Sequence, residues 1–157
     1  ASSAANNGAP VTFLSRPRTL VTTMLTIKVN DCGQAQNAVL KMADKAGANV
    51  EVLGQQSIAS KQYLASKITV PTFNVAGLML RLAELGSVEN QEQTKEDIGS
   101  RFEQTYEQYR AVNAELASAV DSEQRARLEK QAKALEDQLT AWDKQASVQT
   151  IVLWLEQ

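Results

Sequence analysis

DIGSRFEQTYEQYRAVNAELASAVDSEQRARLEKQAKALEDQLTAWDKQ, running from Asp97 to Gln145, is the stretch whose reading decides the fold. Its apolar or semi-apolar positions Ile98, Phe102, Thr105, Tyr109, Val112 and Leu116 step by four and three residues, the spacing of a coiled-coil seam. Leu128, Ala132, Leu135, Leu139, Trp142 and Ala146 repeat the same steps, and the two sets mirror each other about residue 122. A common mirror point is what an antiparallel helical hairpin needs. The spacing predicts that Phe102 meets Trp142 at one end and Leu116 meets Leu128 at the other. Val120 to Glu123 forms the tip, with Asp121 or Ser122 capping the second helix. At 1.5 Å per residue each arm reaches roughly 35 Å.

Before the hairpin, Met24 to Val29 alternates as a strand. Asn30 or Asp31 can cap a helix whose apolar stripe runs through Ala35, Ala38, Val39, Met42 and Ala46 until Gly47 stops it. Ala48–Ser57 and Gln62–Val70 read as two strands joined by a turn at Ile58 to Lys61. Thr72 caps a second helix with Val75, Leu78, Met79, Leu82 and Leu85 on its core side and with Phe73 and Leu80 widening that stripe, and Gly86 closes it. Ser87–Glu96 is polar and suits a sheet edge, whereas Ser147–Glu156 is apolar and β-branched and forms the last strand. The expected fold is therefore α+β: a ferredoxin-like split βαβ antiparallel sheet with two helices on one face, an inserted antiparallel coiled-coil hairpin and a fifth strand. The corresponding divisions are 1–18 as tail and arm, 19–96 with 146–157 as the sheet domain, and 97–145 as the hairpin.

Composition narrows the chemistry. The chain has 157 residues, a net charge of -2 and scattered Lys and Arg, so there is no electrostatic footprint for nucleic acid or an anionic membrane surface. Tyr63 is the one aromatic expected on the open sheet face among the first strands, and no RNP-like string accompanies it. Histidine is absent, which removes the commonest general base and metal ligand, and Cys32 is a single cysteine expected in the first helical turn. Glu103 with Glu107, and Glu136 with Asp137, could in principle work as acid/base pairs, but interleaved Arg110, Arg125, Arg127, Lys130 and Lys133 read as a solvated helix face. No catalytic, cofactor-binding or metal-ligating residue is assigned. No apolar run is long enough to span a membrane, and Ala1 to Pro10 (ASSAANNGAP) is composed like the start of a mature secreted protein or lipoprotein.

The order of elements and several strings resemble one bacterial family, domain of unknown function 4349. The resemblance covers about Thr19 to Glu156 and is carried by TLVTTMLTIKV, Val70-Pro71 with Phe73, Leu82 and Leu85-Gly86, Glu96-Asp97-Ile98 with Phe102, Leu139 with Trp142-Asp143, and Thr150-Ile151-Val152 with Leu155. It implies the envelope, with a lipoprotein leader or a membrane anchor lying outside these residues, and it brings no catalytic motif. Gln104 and Gln108 depart from it where an acid and a base are usual.

The expected role is that of a non-enzymatic, extracytoplasmic (periplasmic or membrane-anchored) scaffold offering the hairpin to an envelope protein, with homo-oligomerisation open. Alternatives are a small-ligand or glycan-binding sensor module and a carboxylate-based hydrolase. Tyr106, Ala114 and Ala117 are the candidate contact residues on the hairpin, and Val152 and Trp154 those on the last strand. Phe13 and Leu14 of the N-terminal arm are expected to cover Trp154, the alternative being that this patch is a partner or self-association surface.

Overall fold

The structure is a computed structural model and describes residues 10–157; expectations for the first nine residues lie outside them. It divides into two compact units, one made of Leu20–Glu96 with Gln145–Gln157, the other of Asp97–Lys144 with the described arm up to Thr19.

The sheet unit is built from β1 (Thr19–Lys28), α1 (Cys32–Lys45), β2 (Asn49–Ile58), β3 (Lys61–Pro71), α2 (Val75–Ala83), β4 (Ser87–Asp97) and β5 (Val148–Glu156). Asp31 caps α1 by accepting from the Gln34 amide at 3.1 Å, and Gly47 leaves the helix at φ +69°. The β2–β3 turn places Ala59 at φ 50° and Ser60 at φ 70°, both left-handed, as the two-residue hairpin turn that matches strand twist requires. A bulge between Val52 and Gly54 interrupts β2.

β1 begins at Thr19, ahead of the expected Met24, and both boundaries of α2 differ from expectation. Thr72 does not cap α2: Thr72–Asn74 is a single 3-10 turn, and the Asn74 side chain donates to the Ala46 carbonyl at 2.9 Å instead of capping. Nor does Gly86 close α2, which ends at Ala83; a Cβ at Gly86 would overlap the Lys28 carbonyl oxygen, so close backbone approach is what this glycine permits.

The strand order is β2-β3-β5-β1-β4. Without β5 the remaining order is the split βαβ arrangement, and β5 enters at its centre. It runs antiparallel to β3, with Tyr63 opposite Glu156, and parallel to β1, with Thr22 opposite Thr150. The expected α+β fold with a fifth strand is present, and the fifth strand, whose pairing the sequence left open, makes the sheet mixed. The physical reason lies in the composition of β5: Ile151, Leu153 and Leu155 are all fully buried, and a strand that apolar is most stable where both neighbours cover it. Leu25, Ile27, Leu64, Ile68 and Val70 share that core with Val39 of α1 and with Leu78 and Leu82 of α2, so the two helices cover one face. Phe73 and Leu80 do not widen the α2 stripe as expected: Val75, Leu78, Met79, Leu82 and Leu85 already occupy the side turned to the sheet, and both are left exposed. The polar β4 is exposed at every position and lies at the edge, beside β1.

The hairpin unit consists of α3 (Gly99–Ser118) and α4 (Ser122–Ala146), joined through Ala119 to Asp121. Asp121 is the cap: its carboxylate accepts from the Glu123 amide at 3.4 Å and its carbonyl from the Arg125 amide at 2.9 Å, while the Arg125 guanidinium reaches the Ala119 carbonyl at 3.0 Å. Phe102, Tyr109, Ala132 and Leu139 are buried in the seam, with Val112, Leu135 and Trp142 packed against them. Thr105 is half-buried, as Val112, Leu116, Leu135 and Trp142 also are, but its neighbour Tyr106, expected on a projecting face, is 6% exposed.

The cause is the N-terminal arm. Phe13 stands edge-on to Phe102 and Tyr106, with ring centroids 5.4 and 5.5 Å away, and its amide donates to the Tyr106 hydroxyl at 3.2 Å. The Val11 amide donates to the Tyr109 hydroxyl at 3.0 Å. Phe13 therefore covers the hairpin and not Trp154, and Leu14, the other expected cover, is 80% exposed.

Candidate interaction surfaces

The arm is fastened by a group of residues that sequence reasoning missed. Arg18 is 2% exposed; its Nε and Nη2 donate to Asp143 Oδ1 at 3.0 and 2.8 Å, and its guanidinium lies 3.7 Å from the Phe102 ring centroid. Nη2 also donates to the Leu14 carbonyl at 2.9 Å and Nη1 to the Arg16 carbonyl at 3.3 Å, so each nitrogen of the buried cation has an acceptor. Arg16, more exposed, adds a 2.7 Å bond to the same Asp143 oxygen. Burial works to raise the Asp143 pKa, but the hydrogen bonds and charges of the two arginines prevail and hold it below the usual carboxylate range. The signal was present as an aromatic and two arginines in an arm otherwise short of polar residues; what hid it is that Asp143 lies far away in sequence.

With the arm against Phe102 and Tyr106, a different part of the hairpin surface is left open. Gln108, Ala111 and Val112 of α3 and Gln131, Ala134 and Leu135 of α4 bound a groove of about 440 Å³. None of the six carries a charge. Elsewhere on the two helices charges pair on the surface, Arg110 with Glu107 at 2.9 Å and Lys133 with Asp137 at 2.9 Å. Of the hairpin residues picked from the sequence, Ala114 and Ala117 are exposed but do not line this groove. Tyr106 is withdrawn from the surface: its hydroxyl accepts from Phe13, its ring lies 4.1 Å beneath the Arg110 guanidinium, and the Phe13 hydrogen bond, helped by Arg110, lowers its pKa against the opposing effect of burial. Tyr109 shifts the other way, raised by burial and by the Glu136 carboxylate to which it donates at 3.0 Å.

On the sheet face away from α1 and α2, register sets side chains in rows. Lys28, Glu156 and Tyr63 form one, Thr26, Trp154 and Ala65 the next, and Met24, Val152 and Lys67 a third. Trp154 and Val152 are half-buried there, and Trp154 packs edge-on to Tyr63 at 6.1 Å. Glu156 is buried, 3.5 Å from Lys61 Nζ; burial and this carboxylate push the Tyr63 phenol up.

The acidic pairs considered in the sequence do not meet a second acid in a cleft: Glu103 borders a hollow of about 430 Å³ whose other charged lining residues are Arg16 and Arg18. Glu51, Glu84, Glu103, Glu107 and Asp137 are exposed, and Glu136 serves Tyr109. Cys32 is buried, donates through Sγ to the Leu155 carbonyl at 3.4 Å, and has its thiol pKa raised by burial and by Asp31. Among the described residues no group of three or more acids and cysteines could hold a metal ion, and no helix is long and apolar enough to cross a membrane.

Comparisons with protein-family models, with curated proteins and with solved structures found no match for this chain.

Proposed function

We propose that this chain is a non-enzymatic interaction protein of the cell envelope and that its helical hairpin receives a protein partner. The observation that carries the reading is the uncharged groove between α3 and α4. Ala111 and Ala134 let a third helix approach closely, Val112 and Leu135 offer apolar contact, and Gln108 and Gln131 can donate or accept at the rim. A charged rim would set a strong constraint on the partner's sign; this one sets none, and a glutamine-flanked helix face suits it. The envelope location rests on the family resemblance of the strings around Val70-Pro71, Leu139 and Thr150.

The test is site-specific photo-crosslinking with benzoylphenylalanine in the intact chain expressed in its own cell. The expected result is one defined protein adduct from probes at Ala111 and Ala134 and none from a probe at exposed Lys130. Adducts of equal yield at all three positions, or none from the groove while circular dichroism shows intact helices, would overturn the reading.

A further inference from the structure

The helix layer of the sheet unit carries a second surface, independent of the hairpin. Between the C-terminal end of α1 and the first turn of α2 lies a cleft of about 200 Å³, with Met42, Ala46 and Leu78 as its apolar lining and Lys45 and Arg81 among its polar side chains. Phe73 stands in its wall 86% exposed, and Leu80, two helical turns on, is 72% exposed. Apolar area of that size left in water costs about 25 cal/mol per Å², so it is either offset by nothing or covered by a ligand.

Two cations beside exposed apolar side chains point to an anionic, partly apolar occupant. Neither Lys45 nor Arg81 makes an ion pair among the described residues. No side chain caps α2: Asn74 is committed to the Ala46 carbonyl, which ties the ends of the two helices together, and the Val75 amide is met by the Thr72 carbonyl of the preceding turn. Gly77 lines the cleft and has no atom within 4 Å of where a Cβ would stand, so the entrance is open.

We infer that this cleft binds an acidic peptide segment of a partner protein, which inserts one large apolar side chain beside Phe73 and pairs flanking carboxylates with Lys45 and Arg81. An anionic bilayer suits the surface less well. Exposed Asp44 adjoins Lys45 and exposed Glu84 ends the helix beyond Leu80, placing negative charge on the surface a membrane would have to meet. A peptide can thread between those acids where a flat headgroup layer cannot.

Panning a random-peptide phage library on the intact chain tests this. The expected consensus is a Phe, Leu or Trp flanked by Asp or Glu, and a fluorescein-labelled copy of the selected peptide should lose about tenfold or more in affinity for Lys45→Glu/Arg81→Glu and for Phe73→Ala, read by anisotropy. Lys95→Glu, on exposed β4, should bind as the parent does. A consensus without acids, or a selected peptide that binds the charge-reversed variant as tightly as the parent, overturns the inference. So does the absence of any selected peptide together with sedimentation on phosphatidylglycerol vesicles, but not on phosphatidylcholine ones, that Phe73→Ala abolishes.

Discussion

Arg18 shows how much one residue can hold in a small helical unit. Its guanidinium is buried over Phe102 and bonded to Asp143, so Arg18→Ala leaves a partly buried carboxylate with only Arg16 and removes the ring's cover. A loss of about 2–3 kcal/mol is expected in urea melts, toward the lower end for a broken buried pair because Arg16 remains; Arg16→Ala should cost less than about 1 kcal/mol. The pH dependence follows from Asp143. Its folded pKa lies below the unfolded value of roughly 3.9, so its contribution is present above that value and lost as pH falls through the folded one. The stability gap between the parent and Asp143→Asn should therefore be full near pH 5 and close progressively below about pH 4; a gap unchanged at pH 2 would contradict it. The chain's three tyrosines offer a second check, since Tyr106 is shifted down while Tyr63 and Tyr109 are shifted up. A difference-absorbance titration should show one phenol ionising before the ordinary value near 10 and two after it, with Tyr106→Phe removing the early step.

At the scale of elements, periodicity was a good guide to existence and a poorer one to contacts. The four-three spacing found both helices of the hairpin, and Leu139, fully buried, lies where the seam requires. Leu139→Ala should cost about 2–5 kcal/mol and Gln124→Ala no more than about 0.5 kcal/mol; similar midpoints for the two would show the seam to be wrong. Spacing puts Tyr106 on an outer face because a two-helix seam is all it can represent. The arm makes a third partner, and Phe13 belongs to no repeat, so the burial of Tyr106 was not legible. Capping was legible where a side chain does it, as at Asp31 and Asp121, and failed at Thr72, where backbone turn geometry replaces a side-chain cap. Gly86 was noticed for the wrong reason. Gly86→Ala should destabilise the sheet unit by well over the roughly 1 kcal/mol that a helix-ending glycine would imply, because backbone must move away from Lys28.

For the whole molecule, alternation and element order indicate the α+β class and the split βαβ order of the first four strands, but not where the fifth enters. The clue to the centre was the run of β5 itself, the most apolar of the strands, and reading it simply as a fifth strand left its place open. Of the candidate surfaces, the sheet face with Trp154 and Val152 was foreseen from alternation. The hairpin groove was not: Gln108 and Ala111 are unremarkable residues until α4 brings Gln131 and Ala134 alongside. Strand order has a measurable correlate in hydrogen exchange. Amides of β5 should exchange slowest, and those of β2 and β4, each with one free edge, fastest; equal protection across the sheet would contradict the order.

The central position of β5 also makes assembly of the sheet a problem of timing. The strand that separates β1 from β3 is the last of the five to leave the ribosome, after the whole hairpin, and it must meet Thr22 with Thr150 and Tyr63 with Glu156. Until then β1 and β3 each present an unpaired edge to the other, and their direct union would give a plausible but wrong four-stranded sheet. Escape from that trap requires breaking a sheet before the native one can close, and the pairings that replace it span most of the chain, which slows them further. The hairpin thus acts on the nascent chain as a delay, and a chaperone that shields the edges of β1 and β3 would have its effect in that interval.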